Sequence, residues 1–301
     1  MQVRVSEDSS GRLDRLIADK TGISRSQVQK LIAQGHVLIG GRPVKAKDRV
    51  KAGSLITITL PEKGPETLAP QDIPIGILYR DGSIAVVDKP PDMVVYPAPG
   101  HPGGTLMNAV LFRLGRPPDA PGGPLRPGVV HRLDKDTSGV MVIALNETAY
   151  KSLVEQFRKR AVEKKYTALV YGSPPPSGVV RLGIGRSRAD RKKMSTKGRR
   201  LREAETKWNV LERLGDAALL EVIPATGRTH QIRVHLSAAG HPVLGDKTYG
   251  QKTRLGEVRF PRQMLHASSL GLVHPVTGKY MEFKSPIPPD MKKALRQLRA
   301  P

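Results

Sequence analysis

The chain has 301 residues and a formal net charge of +23, with 50 lysines and arginines against 27 acidic residues. This excess predicts a polyanionic partner, and nucleic acid is the first choice because its phosphates attract lysine and arginine. Cysteine is absent, which excludes disulfide bonds, thiolate zinc sites and thiol nucleophiles. Apolar runs are too short to span a membrane and the first residues lack a secretory signal, so we expect a cytoplasmic protein that does not bind membranes.

Residues 1–60 predict a small first domain. Apolar spacing predicts helices over 12–21 and 24–34, a hairpin over 37–44 with a glycine turn, and a strand over 55–60. Five cations lie off the apolar faces, where charges usually form a solvated surface: Arg12, Arg15, Arg25, Lys30 and Arg42.

The sequence around the second predicted helix supports another interpretation of these cations. Ser24–Arg25, Leu31–Ile32 and Gly35-x-Val37, followed by a glycine turn, resemble the αL-type RNA-binding domain. The resemblance implies that residues 1–60 bind RNA through these cations. The next segment, 61–76, has four prolines and little apolar periodicity, which predicts a semi-extended linker to a second domain over 77–301.

In the second domain, apolar patterns predict both strands and helices. The predicted strands are 83–87, 139–145, 164–171, 205–211, 217–223, 265–272 and 280–283. The predicted helices are 105–114, 146–160, 290–299 and one that carries Ile232, Leu236 and Ala239 on one face.

The most informative stretch runs from Val129 to Leu145. Its second half, from Gly139, is a continuous apolar run typical of a buried strand, and charged residues stand directly before it. Charges next to a buried strand must be paired or used, because desolvation is costly. The plain interpretation is a structural turn with a surface ion pair between Arg132 and Asp134.

The motif within this stretch favours a functional interpretation. His-Arg-Leu-Asp-Lys-Asp-Thr-Ser-Gly, residues 131–139, resembles the signature of the RluA-type RNA pseudouridine synthases. The resemblance implies an α+β pseudouridine synthase fold, with a mixed, largely antiparallel sheet flanked by helices. It also implies that Asp134 is catalytic and that Arg132 assists in flipping the target base out of its stack. Leu133 is a candidate apolar wall of the site.

Three further segments extend the resemblance. Tyr79-x-Asp81 through Lys89-Pro90 is similar to the family's first motif, and we take Lys89 as a candidate substrate-binding residue; Tyr96 stands where the family commonly has histidine. Lys-x-Tyr-x-Ala-x-Val at 164–170 implies that Tyr166 stacks on the target base.

The third segment, Gly-Arg-Thr-His-Gln-Ile-Arg-Val-His-Leu at 227–236, implies that Arg233 pairs with the catalytic aspartate. Arg228 and Ile232 in the same segment are further candidates for substrate binding. Without the resemblance, Arg233 would be interpreted as an exposed charge on the surface.

Residues 185–202 form the most basic window, with nine lysines and arginines against one aspartate. Such a run is usually a flexible solvated loop, and in a nucleic-acid protein it suits an arm that grips phosphates. The candidate RNA-binding residues here are Arg188, Arg191, Lys192 and Lys193.

Metal and nucleotide cofactors are not expected. His230 and His235 are five residues apart, a poor spacing for one metal on one helix face, and no phosphate-binding loop occurs. The leading hypothesis is isomerisation of uridine in large-subunit (23S) ribosomal RNA, because the αL-type domain accompanies members of the family that act on ribosomal RNA. Alternatives are a transfer-RNA substrate, a non-catalytic ribosome-assembly factor that binds RNA, and, least supported, a metal-dependent nuclease at Asp134 and Asp136. A monomer is the default expectation.

Overall fold

The computed structural model describes residues 2–5, 11–60, 67–190, 193–250 and 253–299. Contacts divide the chain into two compact units, Met1–Lys63 and Gly64–Pro301. None of the helices within the described ranges is long and apolar enough to cross a membrane.

The first unit contains four short strands and two helices: β1 (Gln2–Arg4), α1 (Leu13–Thr21), α2 (Arg25–Ala33), β2 (Val37–Ile39), β3 (Arg42–Pro43) and β4 (Leu55–Ile58). The strands form an antiparallel sheet in the order β1-β4-β2-β3. The predicted helices and hairpin are confirmed, whereas β1 was not predicted. Helix α2 begins after Ser24, whose side chain accepts a hydrogen bond from the backbone N–H of Gln27, as an N-cap should.

The second unit has four helices: α3 (Leu106–Leu114), α4 (Glu147–Arg158), α5 (Gln231–Ala238) and α6 (Pro289–Arg299). Its large sheet uses β5 (Gly76–Arg80), β6 (Ile84–Lys89), β7 (Ser138–Ala144), β8 (Glu163–Tyr171), β9 (Ser177–Val180), β13 (Thr206–Leu214), β14 (Ala217–Pro224), β17 (Leu265–Val273) and β18 (Tyr280–Lys284). Two small sheets comprise β10 (Ile184–Arg186), β11 (Met194–Ser195) and β12 (Arg199–Arg202), and β15 (Arg254–Leu255) with β16 (Val258–Arg259).

The large sheet has nine strands in the order β5-β6-β7-β17-β8-β14-β13-β9, with β18 paired to β17. All its described pairings are antiparallel except β7 with β17, which are parallel. The predicted α+β class, with a mixed and largely antiparallel sheet flanked by helices, is therefore confirmed.

Strand β7 lies at the centre of the hydrophobic core, and every one of its residues is buried. Val140 and Val142 pack in a cluster with Leu153 of α4, whereas Met141 and Ile143 belong to a second cluster that includes residues of α3. Because helices cover both faces, the strand reads as a continuous apolar run rather than an alternating one. Residues that directly precede β7 are therefore attached to a fully buried strand.

The part of the predicted linker that the structure describes packs on the second unit. Leu68, Ile73 and Ile75 lie against the cluster that includes α3. Asn108 of α3 accepts a backbone hydrogen bond from Gln71 and donates its side-chain amide to the Ala69 carbonyl at 2.7 Å. Only residues 61–66 of the predicted linker lie outside the described residues.

The basic window 185–202 was expected to be a flexible arm, and this expectation is wrong for its described residues. They form the three-stranded sheet β11-β10-β12. Ile184 at its edge is buried with Val234 of α5, and the Tyr249 hydroxyl accepts a hydrogen bond from the Met194 backbone at 2.8 Å. Burial of these few apolar groups and strand pairing hold the segment in place despite its charge.

Candidate functional site

Asp134 lies in a tight turn directly before β7, where Thr137 donates its backbone N–H to the Asp134 carbonyl at 3.1 Å. Buried donors from elsewhere in the unit hold this turn. One guanidinium nitrogen of Arg262 donates to the Asp136 carbonyl at 2.9 Å, and the Gln263 side chain donates to the Thr137 hydroxyl at 2.8 Å. The turn is thus fixed by side chains that stand just before β17.

The last residue of the signature, Gly139, explains why the turn can enter the sheet there. Its φ of +117° is in a region that other residues rarely adopt, and a Cβ at this position would collide with the Ala267 carbonyl of the parallel neighbour β17. Only glycine allows the two strands to approach while the carboxylate of Asp134 is held at the strand entrance.

Arg233 of α5 joins two carboxylates. Its Nη1 donates to Asp134 Oδ2 at 2.9 Å, and its Nε and Nη2 donate to the two oxygens of Asp246 at 2.7 and 2.9 Å. Burial alone would lower the pKa of Arg233, but the hydrogen bonds and charges of Asp246 and then Asp134 raise it above its ordinary value. The guanidinium therefore stays charged and fixes the orientation of Asp134.

His230 and Tyr249 complete this side of the site. His230 precedes α5 in the left-handed region, with φ of +56°, and its Nδ1 lies 2.8 Å from the Tyr249 hydroxyl. Its Nε2 lies 3.9 Å from Asp134 Oδ1, too far for a hydrogen bond. Burial lowers the pKa of His230 although the charge of Asp134 opposes this, so burial favours the neutral form of the imidazole.

Asp134, His230 and Arg233 line a cavity of about 110 Å³, which we call the aspartate pocket. Most of the predicted catalytic and substrate-binding residues line it: Asp134, Tyr166, Arg233, Arg132, Leu133, Ile232 and Arg228. Burial, followed by the charge of Asp134, raises the pKa of Tyr166, so its phenol remains protonated and cannot serve as a base. The structure brings these residues together as expected, and their individual roles remain predictions.

Lys89 is placed differently from the prediction. Its side chain is fully buried and donates hydrogen bonds to the carbonyls of Pro90, Met93 and Lys135 at 2.8, 2.9 and 2.9 Å. It lines neither the aspartate pocket nor the neighbouring cavity. The structure therefore does not bring Lys89 together with the other predicted substrate-binding residues. The three carbonyls occupy the donors of its ammonium group, and Lys89 supports the turn that carries Asp134.

The predicted RNA-binding cations fall into three groups. Arg15, Lys30, Arg42 and Arg188 are exposed, and Lys193 is half-buried. Arg12 and Arg25, both about half exposed, donate to the fully buried carboxylate of Asp14 at 3.1 and 3.0 Å. They therefore have a structural role that was not predicted. Arg191 and Lys192 lie outside the described residues.

No group of three or more histidine, aspartate or glutamate side chains is arranged to hold a metal ion within the described part of the chain. Asp246, Tyr249 and Arg262 had no predicted role, and each contributes to the site or its support. Asp246 closes the segment Gly240-His-Pro-Val-Leu-Gly-Asp, which has the appearance of an ordinary turn, so no local signal marked it.

The fold and the site are those of an enzyme with a buried carboxylate–guanidinium pair, and comparisons with known proteins identify its family. Residues 83–238 match the family model described as RNA pseudouridylate synthase, and residues 11–56 match the S4 domain. The chain belongs to the RluA-type RNA pseudouridine synthases with an N-terminal S4 RNA-binding domain, and the enzyme is an isomerase.

Relatives match over nearly the whole chain. An uncharacterized RNA pseudouridine synthase of Chloroflexus aurantiacus is 48% identical over 96% of this chain and 90% of that protein. Ribosomal large subunit pseudouridine synthase D of Zymomonas mobilis is 38% identical over 99% of this chain and 97% of that protein. Among solved structures, human RNA pseudouridylate synthase domain containing 4 has a TM-score of 0.59 and 31% identity, covering 74% of this chain and 93% of that one.

Proposed function

We propose that this enzyme converts specific uridines of large-subunit ribosomal RNA to pseudouridine, with Asp134 as its catalytic carboxylate. The observation that carries this proposal is the placement of the Asp134 carboxylate, bound by Arg233, in one pocket with Tyr166. The relatives named ribosomal large subunit pseudouridine synthase D, from Zymomonas mobilis and Xanthomonas campestris, support the choice of RNA. The cytoplasm is the proposed location.

The reaction is an isomerisation and needs no cosubstrate. The N1–C1′ bond of uridine breaks, the uracil turns, and a C5–C1′ bond forms. The hydrogen on C5 leaves as a proton, and N1 ends with a proton, so that atoms and electrons balance. One carboxylate is enough for this chemistry, either as a nucleophile toward C1′ or as a base toward the sugar.

The geometry of Asp134 suits both roles. Oδ2 accepts the hydrogen bond from Arg233, whereas Oδ1 makes no hydrogen bond with the described residues and faces the aspartate pocket. Tyr166 offers a neutral ring on which the uracil can stack. Because a stacked base cannot enter a pocket of this kind, we propose that the uridine flips out of its stack and that Arg132, which lines the pocket, takes the vacated position.

Asp134→Asn tests the catalytic assignment. The full chain is incubated, without added metal, with ribosomal and transfer-RNA transcripts of the organism that carries the gene, and pseudouridine is mapped chemically. We expect wild type to modify large-subunit RNA, and Asp134→Asn to bind it but form no product. Asp136→Asn is the matched control, since it removes the same charge from the same turn but does not line the pocket.

Each outcome bears on one part of the proposal. Product formation by Asp134→Asn at the wild-type rate would refute the role of the carboxylate. Modification of transfer RNA alone would refute the ribosomal substrate and leave the chemistry intact. Binding without product by the wild type across all cellular RNAs would support an assembly factor instead.

A further inference from the structure

A second cavity opens beside the aspartate pocket and shares part of its wall. Its volume is about 670 Å³, within the range of cavities that hold ligands, and we call it the side groove. Arg132, Tyr166 and Arg228 line both cavities. The side groove is therefore the space directly beside the aspartate pocket.

The side groove is strongly cationic. Its lining includes six cations and, among the described residues, no aspartate or glutamate: Arg126, Arg132, Arg158, Arg160, Lys164 and Arg228. Two of these already have carboxylate partners, since Arg158 pairs with Glu155 at 2.6 Å and Arg160 with Glu203 at 3.5 Å. The rest of the positive charge is available to an anion.

Lys164 of β8 is the strongest candidate to receive that anion. It is half-buried, and its side chain makes no hydrogen bond or ion pair with the described residues. Burial, and then the charge of Arg160, lower the pKa of Lys164 to about 8. A phosphate bound at Lys164 would raise this pKa again, because its negative charge stabilises the charged form of the lysine. That attraction is stronger at a half-buried site than in water.

The groove also has an apolar part that a free anion would not use. Phe157 and Val154 of α4 line it, and Val154 is 38% exposed. His131 stacks on Phe157 with ring centroids 4.7 Å apart, and its Nε2 accepts the Val142 backbone N–H at 3.1 Å. A neutral His131 therefore carries its proton on Nδ1, and together these groups offer a stacking surface and a hydrogen-bond donor.

We propose that the side groove holds the nucleotide next to the target uridine, with its phosphate at Lys164 and its base against Phe157. This inference rests on the proposed function, since it requires a uridine in the aspartate pocket. A free anion would leave the apolar surface unused, and an apolar peptide would leave the cations without partners. A nucleotide uses both, and the groove thereby contributes to the choice of uridine.

A double-mutant cycle between protein and RNA tests the phosphate contact. The probe is the shortest transcript that wild type modifies, prepared with a neutral methylphosphonate at each of the three phosphates on either side of the uridine in turn. Lys164→Gln is compared with Lys165→Gln, which removes the same charge from the next residue of β8, outside the lining of the groove. We expect Lys164→Gln to raise KM about tenfold on RNA that contains no methylphosphonate, which corresponds to the loss of one charge-assisted hydrogen bond.

At the phosphate that Lys164 contacts, the effects of Lys164→Gln and of the methylphosphonate on KM should not be additive. A methylphosphonate next to the uridine should raise KM for wild type and for Lys165→Gln, and should have no further effect on Lys164→Gln. Independent losses at every position, or a Lys164→Gln variant that matches Lys165→Gln, would overturn the proposal. Absence of pseudouridine from the wild-type reaction would instead refute the proposed function.

A second cycle tests the base contact. Phe157→Ala is paired with RNA that lacks only the base of the adjacent nucleotide, and the fluorescence of Trp208, the single tryptophan, verifies that the second unit is folded. We expect loss of the base to raise KM for wild type but not for Phe157→Ala. Equal sensitivity of both proteins would show that the base lies elsewhere.

Discussion

The ion pair between Arg233 and Asp246 is predicted to be required for the position of the Asp134 carboxylate, which we propose is catalytic, and Asp246→Asn tests this. Asp246 is 1% exposed and accepts two hydrogen bonds from Arg233, while its Oδ1 also accepts the backbone N–H groups of Thr248 and Tyr249. An asparagine that keeps its oxygen at Oδ1 preserves three of these bonds. The amide nitrogen of the asparagine then takes the place of Oδ2. It is a donor that faces the Nε–H of Arg233, so the hydrogen bond that measures 2.7 Å in wild type is lost.

The cost follows from these contacts. One charge-assisted hydrogen bond contributes about 1.5–3 kcal/mol, and breaking a buried ion pair by removing one charge costs about 3–5 kcal/mol. Because asparagine keeps part of the network, we expect the free energy of unfolding to fall by about 3 kcal/mol. For a unit of this size that lowers Tm by roughly 6–12 °C. A guanidinium displaced by about 1 Å would also lower kcat by about 100-fold.

Two measurements separate stability from catalysis. Trp208, which is 5% exposed in β13, reports thermal unfolding of the second unit. Single-turnover pseudouridine formation is measured well below Tm, so that only folded enzyme contributes. Glu212→Gln is the control, because it breaks an equally close Arg299 pair at 2.9 and 2.6 Å on the surface, where loss should change neither quantity. If Asp246→Asn unfolds and turns over as wild type does, Arg233 is held without Asp246 and the reasoning fails.

Three further predictions concern the supports of the site and the first unit. Gly139→Ala should destabilise the second unit by at least about 2 kcal/mol in chemical denaturation, since it combines a strained φ with a backbone collision; Gly82→Ala, which has open space, should have no such effect. Arg262→Lys should lower kcat about tenfold without raising KM, because lysine cannot hold both the Asp136 carbonyl and Asp290; a change in KM alone would contradict this. Hydrogen bonding from Arg12, against the opposing effect of burial, holds the pKa of Asp14 below its usual range, so its stabilisation should be complete above about pH 4 and lost as pH falls. Amide exchange in α1 and α2 should therefore show that Asp14→Asn is less stable at pH 7 and less sensitive to acid, whereas Asp19→Asn, an exposed residue, should behave as wild type.

Local sequence patterns predicted those helices and strands whose burial determines the residue types at consecutive positions. β7 was predicted because covering both faces of a strand makes every position apolar. Helix α4 was predicted because Asn146, whose side chain accepts the Ala149 backbone N–H at 2.9 Å, marks its start. In both cases the physical cause lies within a few residues of its effect.

Contacts between distant segments could not be predicted from local patterns. Asp134 and Arg233 are 99 residues apart, and only the resemblance to family motifs paired them. Asp246 and Lys89 are charged residues that composition places on the surface, yet both are buried among partners that come from elsewhere in the chain. The flexibility predicted for the basic window was wrong for the same reason. Its charges stand in consecutive residues, whereas the apolar contacts that order it come from distant parts of the chain.

Arg233 is shared unequally between two carboxylates, and this difference supports the proposed catalytic role of Asp134. Asp246 holds two nitrogens of the guanidinium and is buried, whereas Asp134 holds one and is 18% exposed in the aspartate pocket. The two carboxylates and one guanidinium leave a net negative charge, and its exposed end is Asp134 Oδ1, which no described residue contacts by hydrogen bonding. A second bond from Arg233 to Asp134 would hold that oxygen away from a substrate. The bidentate bond to Asp246 therefore leaves Asp134 oriented through Oδ2, with Oδ1 available for the role that we propose for this carboxylate.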